Sequence, residues 1–247
     1  MEGASAVYAV TNYWEHLNKQ KEVDQGKSLV DAAKETGVQQ FIWSSLDHVS
    51  KRSKGVLPNV YHFDSKAEVE EYAREVGIPA TFFFPGFYMS NIPGEMMRPT
   101  PPDDAWTLTF PIPPSAPMPV FDTADTGKFI KAAVLNRDDV LGKRLLGATE
   151  YITAGELVEA FKRAFPEAGK TARYNQVPEE TYKNILVNHA KMPDFAAQEL
   201  LENFILFDKF GYFFGEKLDE THALVEDKLT TFDEYLKKTP KLPADLK

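Results

Sequence analysis

QFIWSSLDHVSKRSKGVLPNVYHFDSKAEVEEYAREVGIPATFFFP, residues 40–85, decides the fold. It opens on QFIWS (40–44) and closes on ATFFFP (80–85). Both are short apolar runs rich in β-branched and aromatic residues, the pattern of strands buried on both faces. Between them lies a loop, 46–62, carrying Gly55 and Pro58. Ser65 and Glu68 then read as a Ser-x-x-Glu capping box, which predicts a helix from there to about Val76, with Gly77 as its stop. Working outward, ASAVYAVT (4–11) is a third apolar run and reads as another buried strand. Residues 22–36 predict a helix with Val23, Leu29, Val30 and Ala33 turned to the core and Gly37 at its end.

Strand, helix, strand, helix, strand within 85 residues predicts an α/β fold with parallel pairing and right-handed crossovers. Ligands on such sheets bind beyond the carboxyl ends of the strands. The residues at those ends are Thr11 and Asn12, Ser44 and Ser45, then Pro85, Gly86 and Phe87. They are small, polar or aromatic, as a ligand crevice requires.

Downstream, residues 98–121 hold eight prolines and exclude a helix, so extended segments and loops are expected. A helix is predicted over 123–135. Another starts at Thr153, capped by Thr153 and Glu156, and a third opens at Pro178 and Glu179. FILFDKFGYFFG (204–215) is the most aromatic stretch and reads as core. TPKLPADLK at the C-terminus reads as a loose tail. One division is expected, with a Rossmann-like part over 1–135 and a C-terminal lobe for a substrate or partner over 136–247.

Composition narrows the chemistry. A 43% hydrophobic, 26% charged chain is that of a soluble globular protein. A formal charge of −9 disfavours nucleic acid. Lys51, Arg52 and Lys54 form the one short basic run and read as solvated loop charge. With no cysteine there is no disulfide, zinc-thiolate site or thiol catalysis. Nothing resembles a signal peptide or a membrane span, so a cytoplasmic protein is the expectation. Asp47 and His48 are too few for a metal site, and no Gly-x-Ser-x-Gly elbow supports a hydrolase.

AVYAVTNYWE, AAKETGVQQFIWSSL, HFDSKAEVEEY, TFFFPGFYMSN and FDTADTGKFIKAAV are similar in order and spacing to the NmrA-like family, atypical short-chain dehydrogenase/reductase proteins. The resemblance covers roughly residues 4–235. It implies a partial Rossmann-type parallel sheet with helices on both faces, plus a smaller, mainly helical C-terminal lobe. It implies NAD or NADP as cofactor and no metal. Some members reduce small molecules; others are regulators that sense the cofactor and bind protein partners. By the same resemblance Thr11 and Asn12 lie beside the cofactor, and Ser44 and Ser45 end the next strand. Lys66 would reach the ribose or substrate, and Pro85, Gly86, Phe87 and Asn91 would lie near the nicotinamide.

The sequence departs from that family in two places. It starts inside what would be the fourth strand, and Gly3, Gly26 and Gly37 form no G-x-x-G-x-x-G phosphate loop. The expectation is a chain without the nucleotide-phosphate half, weak in dinucleotide binding, and with strand 4–11 exposed to pair with a second copy or a protein partner. The other departure is at Lys66. The residue four before it is His62 where a tyrosine is usual, and residues 61–64, read as preceding the helix, fix no common face. Histidine can still carry a proton near neutral pH. Three functions are therefore open: a degenerate binding or regulatory protein, an NAD(P)-dependent oxidoreductase, or a non-redox isomerase or cyclase using His62, Lys66 and a wall of Phe87, Tyr88, Phe207 and Phe213.

Overall fold

The structure is a computed structural model describing residues 1–239 and 242; most of the C-terminal stretch read as a loose tail lies outside the described residues. The chain forms two units, each built from several segments. The first comprises Met1–Pro85, Thr126–Gly147 and Glu216–Lys228; the second comprises Gly86–Asp125, Ala148–Gly215 and Leu229–Lys247. A single division at 135/136 does not describe these units. Residues 126–147 pack with the first because α4 (Thr126–Leu135) covers its sheet and β8 (Arg144–Gly147) extends it.

The first unit holds a four-stranded, all-parallel sheet in the order β1-β2-β3-β8, with β1 at Ala6–Ala9, β2 at Gln40–Ser44 and β3 at Ala80–Pro85. Every residue of β2 and β3 is buried, as their unbroken apolar character requires. Side chains alternate between the two faces. Phe41, Trp43, Phe82 and Phe84 point to the side of α1 (Lys19–Glu35) and α3 (Tyr61–Glu75), while Phe83 meets Phe129 of α4 on the other. Burial of each such ring contributes about 1.5–3 kcal/mol. Shorter helices α2 (Val49–Arg52), α5 (Arg137–Val140) and α10 (Asp219–His222) complete the unit. Thr221 of α10 accepts the Leu146 N–H with its hydroxyl oxygen.

Three predicted elements differ in detail. Strand β1 is an outer strand, and Tyr8 and Val10 are 37% and 57% exposed, so this run is not fully buried. Helix α1 begins at Lys19 because Asn18 caps it by accepting the Lys21 N–H. Helix α3 begins at Tyr61, four residues before the expected cap. The Val60 carbonyl takes the Phe63 and Asp64 N–H groups, and Ser65 and Glu68 are committed elsewhere, to Glu22 and Lys19. Helix α1 lies close on α3 at Gly26, where a Cβ would meet Val69 Cγ2 at 2.4 Å.

The second unit carries two three-stranded sheets. Strands β5 (Met97–Thr100) and β6 (Ala105–Phe110) are antiparallel, with β10 (Arg173–Gln176) parallel to β6. Strand β7 (Pro117–Phe121) lies between β4 (Phe87–Tyr88) and β9 (Glu150–Thr153). Proline is tolerated in this middle strand because β4 pairs only with Val120 and Phe121, leaving Pro117 and Pro119 bound on one side. The helices are α6 (Ala154–Ala164), α7 (Pro166–Gly169), α8 (Glu179–Asn188), α9 (Asp194–Lys209) and α11 (Phe232–Lys238). The capping box of Thr153 and Glu156 is present as expected. Phe110, Phe204 and Phe207 form the aromatic core, with Phe110 and Phe204 centroids 4.2 Å apart.

Candidate functional site

Lys66 projects from the second turn of α3 and is 9% exposed. Its ammonium donates to the Thr11 carbonyl at 2.8 Å, the Thr11 hydroxyl at 3.1 Å and Glu22 Oε1 at 2.9 Å. Thr11 in turn donates its hydroxyl to Glu22 Oε1 at 2.7 Å, and Ser65 donates to Glu22 Oε2. The Trp43 indole N–H holds the Lys66 carbonyl at 3.0 Å. The group therefore ties α3 to α1 and to the segment after β1. Burial pushes the Lys66 ammonium below its ordinary value, opposed by the Glu22 carboxylate.

Ser45, at the end of β2, belongs to a second charged cluster. It donates to Glu70 Oε2 at 2.7 Å, and Glu70 also accepts from Arg74 and Arg144. Arg144 and Arg52 both reach Asp47, at 3.2 and 2.5 Å, and Arg52 also bonds Glu216. Arg52 is thus a partner of a buried carboxylate rather than solvated loop charge. Burial raises the Asp47 carboxyl above its usual value, against the pull of Arg52 and Arg144.

A third group joins the segment after β2 to the first turn of α3. His48 Nδ1 is 3.1 Å from Asp64 Oδ1, which also accepts the Ser50 N–H at 3.2 Å. The Ser50 hydroxyl is 3.2 Å from the same Nδ1. A proton relay needs serine and carboxylate on opposite ring nitrogens, so this is no nucleophilic triad. Burial works to raise the Asp64 carboxyl, but hydrogen bonds from His48 and Ser50 hold it below its usual value.

Of the residues expected from the sequence, the structure brings Thr11 and Lys66 together. Asn12 is exposed and precedes a short turn without capping it. Ser44 is buried at the end of β2. His62 and Lys66 do share a helix face, one turn apart, because α3 starts earlier than its sequence suggests. Pro85 ends β3, while Gly86, Phe87 and Asn91 belong to the second unit. There Phe87 packs edge-on against Phe207 at 5.9 Å, and Phe87, Phe207 and Phe213 are core residues rather than an open wall.

Glu22, Glu70 and Asp64 went unnoticed in the sequence, and Ser65 was read as a helix cap rather than as a partner of Glu22. The one signal was Glu22 itself, a carboxylate in register with Gly26, Val30 and Ala33 on the buried face of α1. Among the described residues no group of three His, Asp or Glu is arranged to hold a metal, and no helix is long and apolar enough to cross a membrane. A cleft of about 790 Å³ in the second unit, between Pro111–Pro113 and Gln176–Glu179, contains none of the expected residues.

The NmrA-like family model matches residues 1–236. Nitrogen metabolite repression protein nmr of Neurospora crassa is 35% identical over 167 residues, 63% of this chain and 32% of that protein. NmrA-like family domain-containing oxidoreductase FrzB of Cladobotryum sp is 29% identical over 66% of this chain and 52% of its own. The chain thus spans about a third and about half of these two relatives. The crystal structure of NmrA, a negative transcriptional regulator, in complex with NAD superposes with a TM-score of 0.78 at 25% identity, over 99% of this chain and 76% of that one. With a family model running nearly its whole length, this chain belongs to the NmrA-like family.

Proposed function

We propose that this chain is a binding or regulatory member of the family, acting on a small-molecule ligand or a protein partner, with weak or absent dinucleotide binding. The saturation of Lys66 carries this reading. An ammonium has three hydrogens, and Thr11 and Glu22 supply three acceptors. A ribose hydroxyl would have to displace one of them. Freeing the lysine from Glu22 would strand a buried carboxylate, at a cost of about 3–5 kcal/mol. The residues of this chain therefore do not fit a dinucleotide well, although related NmrA structures hold NAD or NADP. The outer edge of β1, with Tyr8 exposed in the strand and Val10 exposed just after it, is our candidate contact for a second copy or a protein partner.

The oxidoreductase reading is favoured by the likeness to FrzB and by His62 standing one helical turn before Lys66. Calorimetric titration with NAD and NADP, in both redox states, separates the two. We expect no dissociation constant tighter than about 100 μM, an affinity near −5.5 kcal/mol. Binding at about 1 μM would overturn the proposal in favour of the oxidoreductase.

A further inference from the structure

We infer that residues 216–228 form a releasable strap, which guards the outer edge of β8 against the β1 edge of a second copy. The four-stranded sheet ends on β1 at one side and on β8 at the other. On the inner side of β8 the ladder is closed: the Phe82 N–H donates to the carbonyl of Lys143, just before the strand, at 3.0 Å. The Leu146 N–H turns to the outer side, where the Thr221 hydroxyl oxygen accepts it at 2.9 Å. A side chain of α10 thus satisfies a backbone donor that a further strand would otherwise take.

The strap is lightly held. Among residues 216–228, Leu218 and Thr221 are the buried ones. Helix α10 has four residues, too short to stand without its packing. Charge holds both ends. Upstream, Glu216 meets Arg52 at 2.9 Å, and that guanidinium is itself fixed on buried Asp47 at 2.5 Å. Downstream, Asp227 meets Lys131 of α4 at 2.7 Å, and the Lys228 carbonyl accepts from Lys128 at 2.7 Å. The Glu216 and Asp227 side chains are 42% and 39% exposed, so salt screens both pairs.

The flanking chain differs on the two sides. Just upstream, Gly211, Phe214 and Gly215 stand at φ 77°, 51° and 80°, a turn of the kind that absorbs hinge motion. Just downstream, the Thr230 N–H is fixed on Asp125 Oδ2 at 2.6 Å. The contacts that hold the strap are not ladder bonds, so it opens locally without breaking the sheet. Strand β1 is the other end of the same parallel sheet, so β1 of a second copy pairs with β8 in the sense of the existing ladder. Such a contact joins two different edges and leaves one of each free, so it repeats rather than closes. The occupant rests on the open β1 edge proposed above as a contact; the strap itself does not.

The test is amide hydrogen exchange of the full chain, read by NMR at Leu146 with Phe82 as the inner-ladder control. Thr221→Val, which keeps the shape and removes the acceptor, should speed exchange at Leu146 about five- to tenfold and leave Phe82 slow. Glu216→Gln combined with Asp227→Asn should speed it too. Salt at about 1 M should do the same to the natural chain and add nothing to that double variant. Light scattering of Thr221→Val should show masses above those of the natural chain, growing with concentration, and adding Tyr8→Lys should abolish the growth. Unchanged exchange at Leu146 in both variants would overturn the strap. So would equal acceleration at Phe82, which would mean that the sheet itself loosens. Faster exchange without growth, or growth that survives Tyr8→Lys, would overturn β1 as the occupant. Masses are read against the natural chain, so a monomeric natural chain, which counts against the second-copy reading above, leaves this test decisive.

Discussion

Lys66 and Glu22 share one buried site, and each is expensive without the other. Lys66→Met leaves the Glu22 carboxylate with only two hydroxyl donors, Thr11 and Ser65. A loss of about 3–5 kcal/mol in denaturant unfolding is expected. Combining it with Glu22→Gln should cost less than the two single changes added, because the double variant strands no charge. Additive losses would show that the pair is not coupled. Asp64 makes a pH-dependent prediction. Its folded value is lowered from the ordinary 3.8, so its contribution to stability is complete above 3.8 and lost as pH falls through the folded value. Asp64→Asn should therefore cost about 1–3 kcal/mol at neutral pH, and the gap to the natural chain should close in acid. A gap that stays constant with pH would contradict the assignment. The four-residue spacing of His62 and Lys66 was legible in the sequence. Their shared face was not, since Ser65 and Glu68 imitate a helix cap while serving Glu22 and Lys19.

Helices α1 and α3 meet through Gly26, against Val69 and Trp43. Alanine ordinarily favours a helix over glycine by about 1 kcal/mol. Here its Cβ would drive into a stiff β-branched neighbour, and Gly26→Ala should instead lose about 1–3 kcal/mol. Thermal melting of Gly26→Ala with Val69→Ala should recover part of that loss; no recovery would remove Val69 as the cause. At the sheet edge, light scattering at micromolar concentration should give a dimer mass for the natural chain and a monomer for Tyr8→Lys, which puts a charge on β1. A monomeric natural chain would end the second-copy version of the partner proposal. The central strands were legible because burial on both faces leaves an unbroken apolar run. The outer position of β1 was expected only from the family's strand order, since by local composition an outer strand and a central one read alike.

At the scale of the whole chain, the parallel sheet and its helices were readable from local periodicity, as was the family from the order of its segments. The two interleaved units were not. Pairings such as β6 with β10 join residues far apart in the sequence, and no local pattern marks them. The proposed function turns on whether Lys66 is held by its own chain or offered to a cofactor. Nitrogen-resolved NMR of the lysine ammonium groups, with and without NADP, tests this most directly. The expected result is a Lys66 ammonium protected from solvent exchange, titrating below its ordinary 10.5, and unmoved by NADP. A Lys66 signal that exchanges freely, or that shifts saturably with the nucleotide, would contradict it.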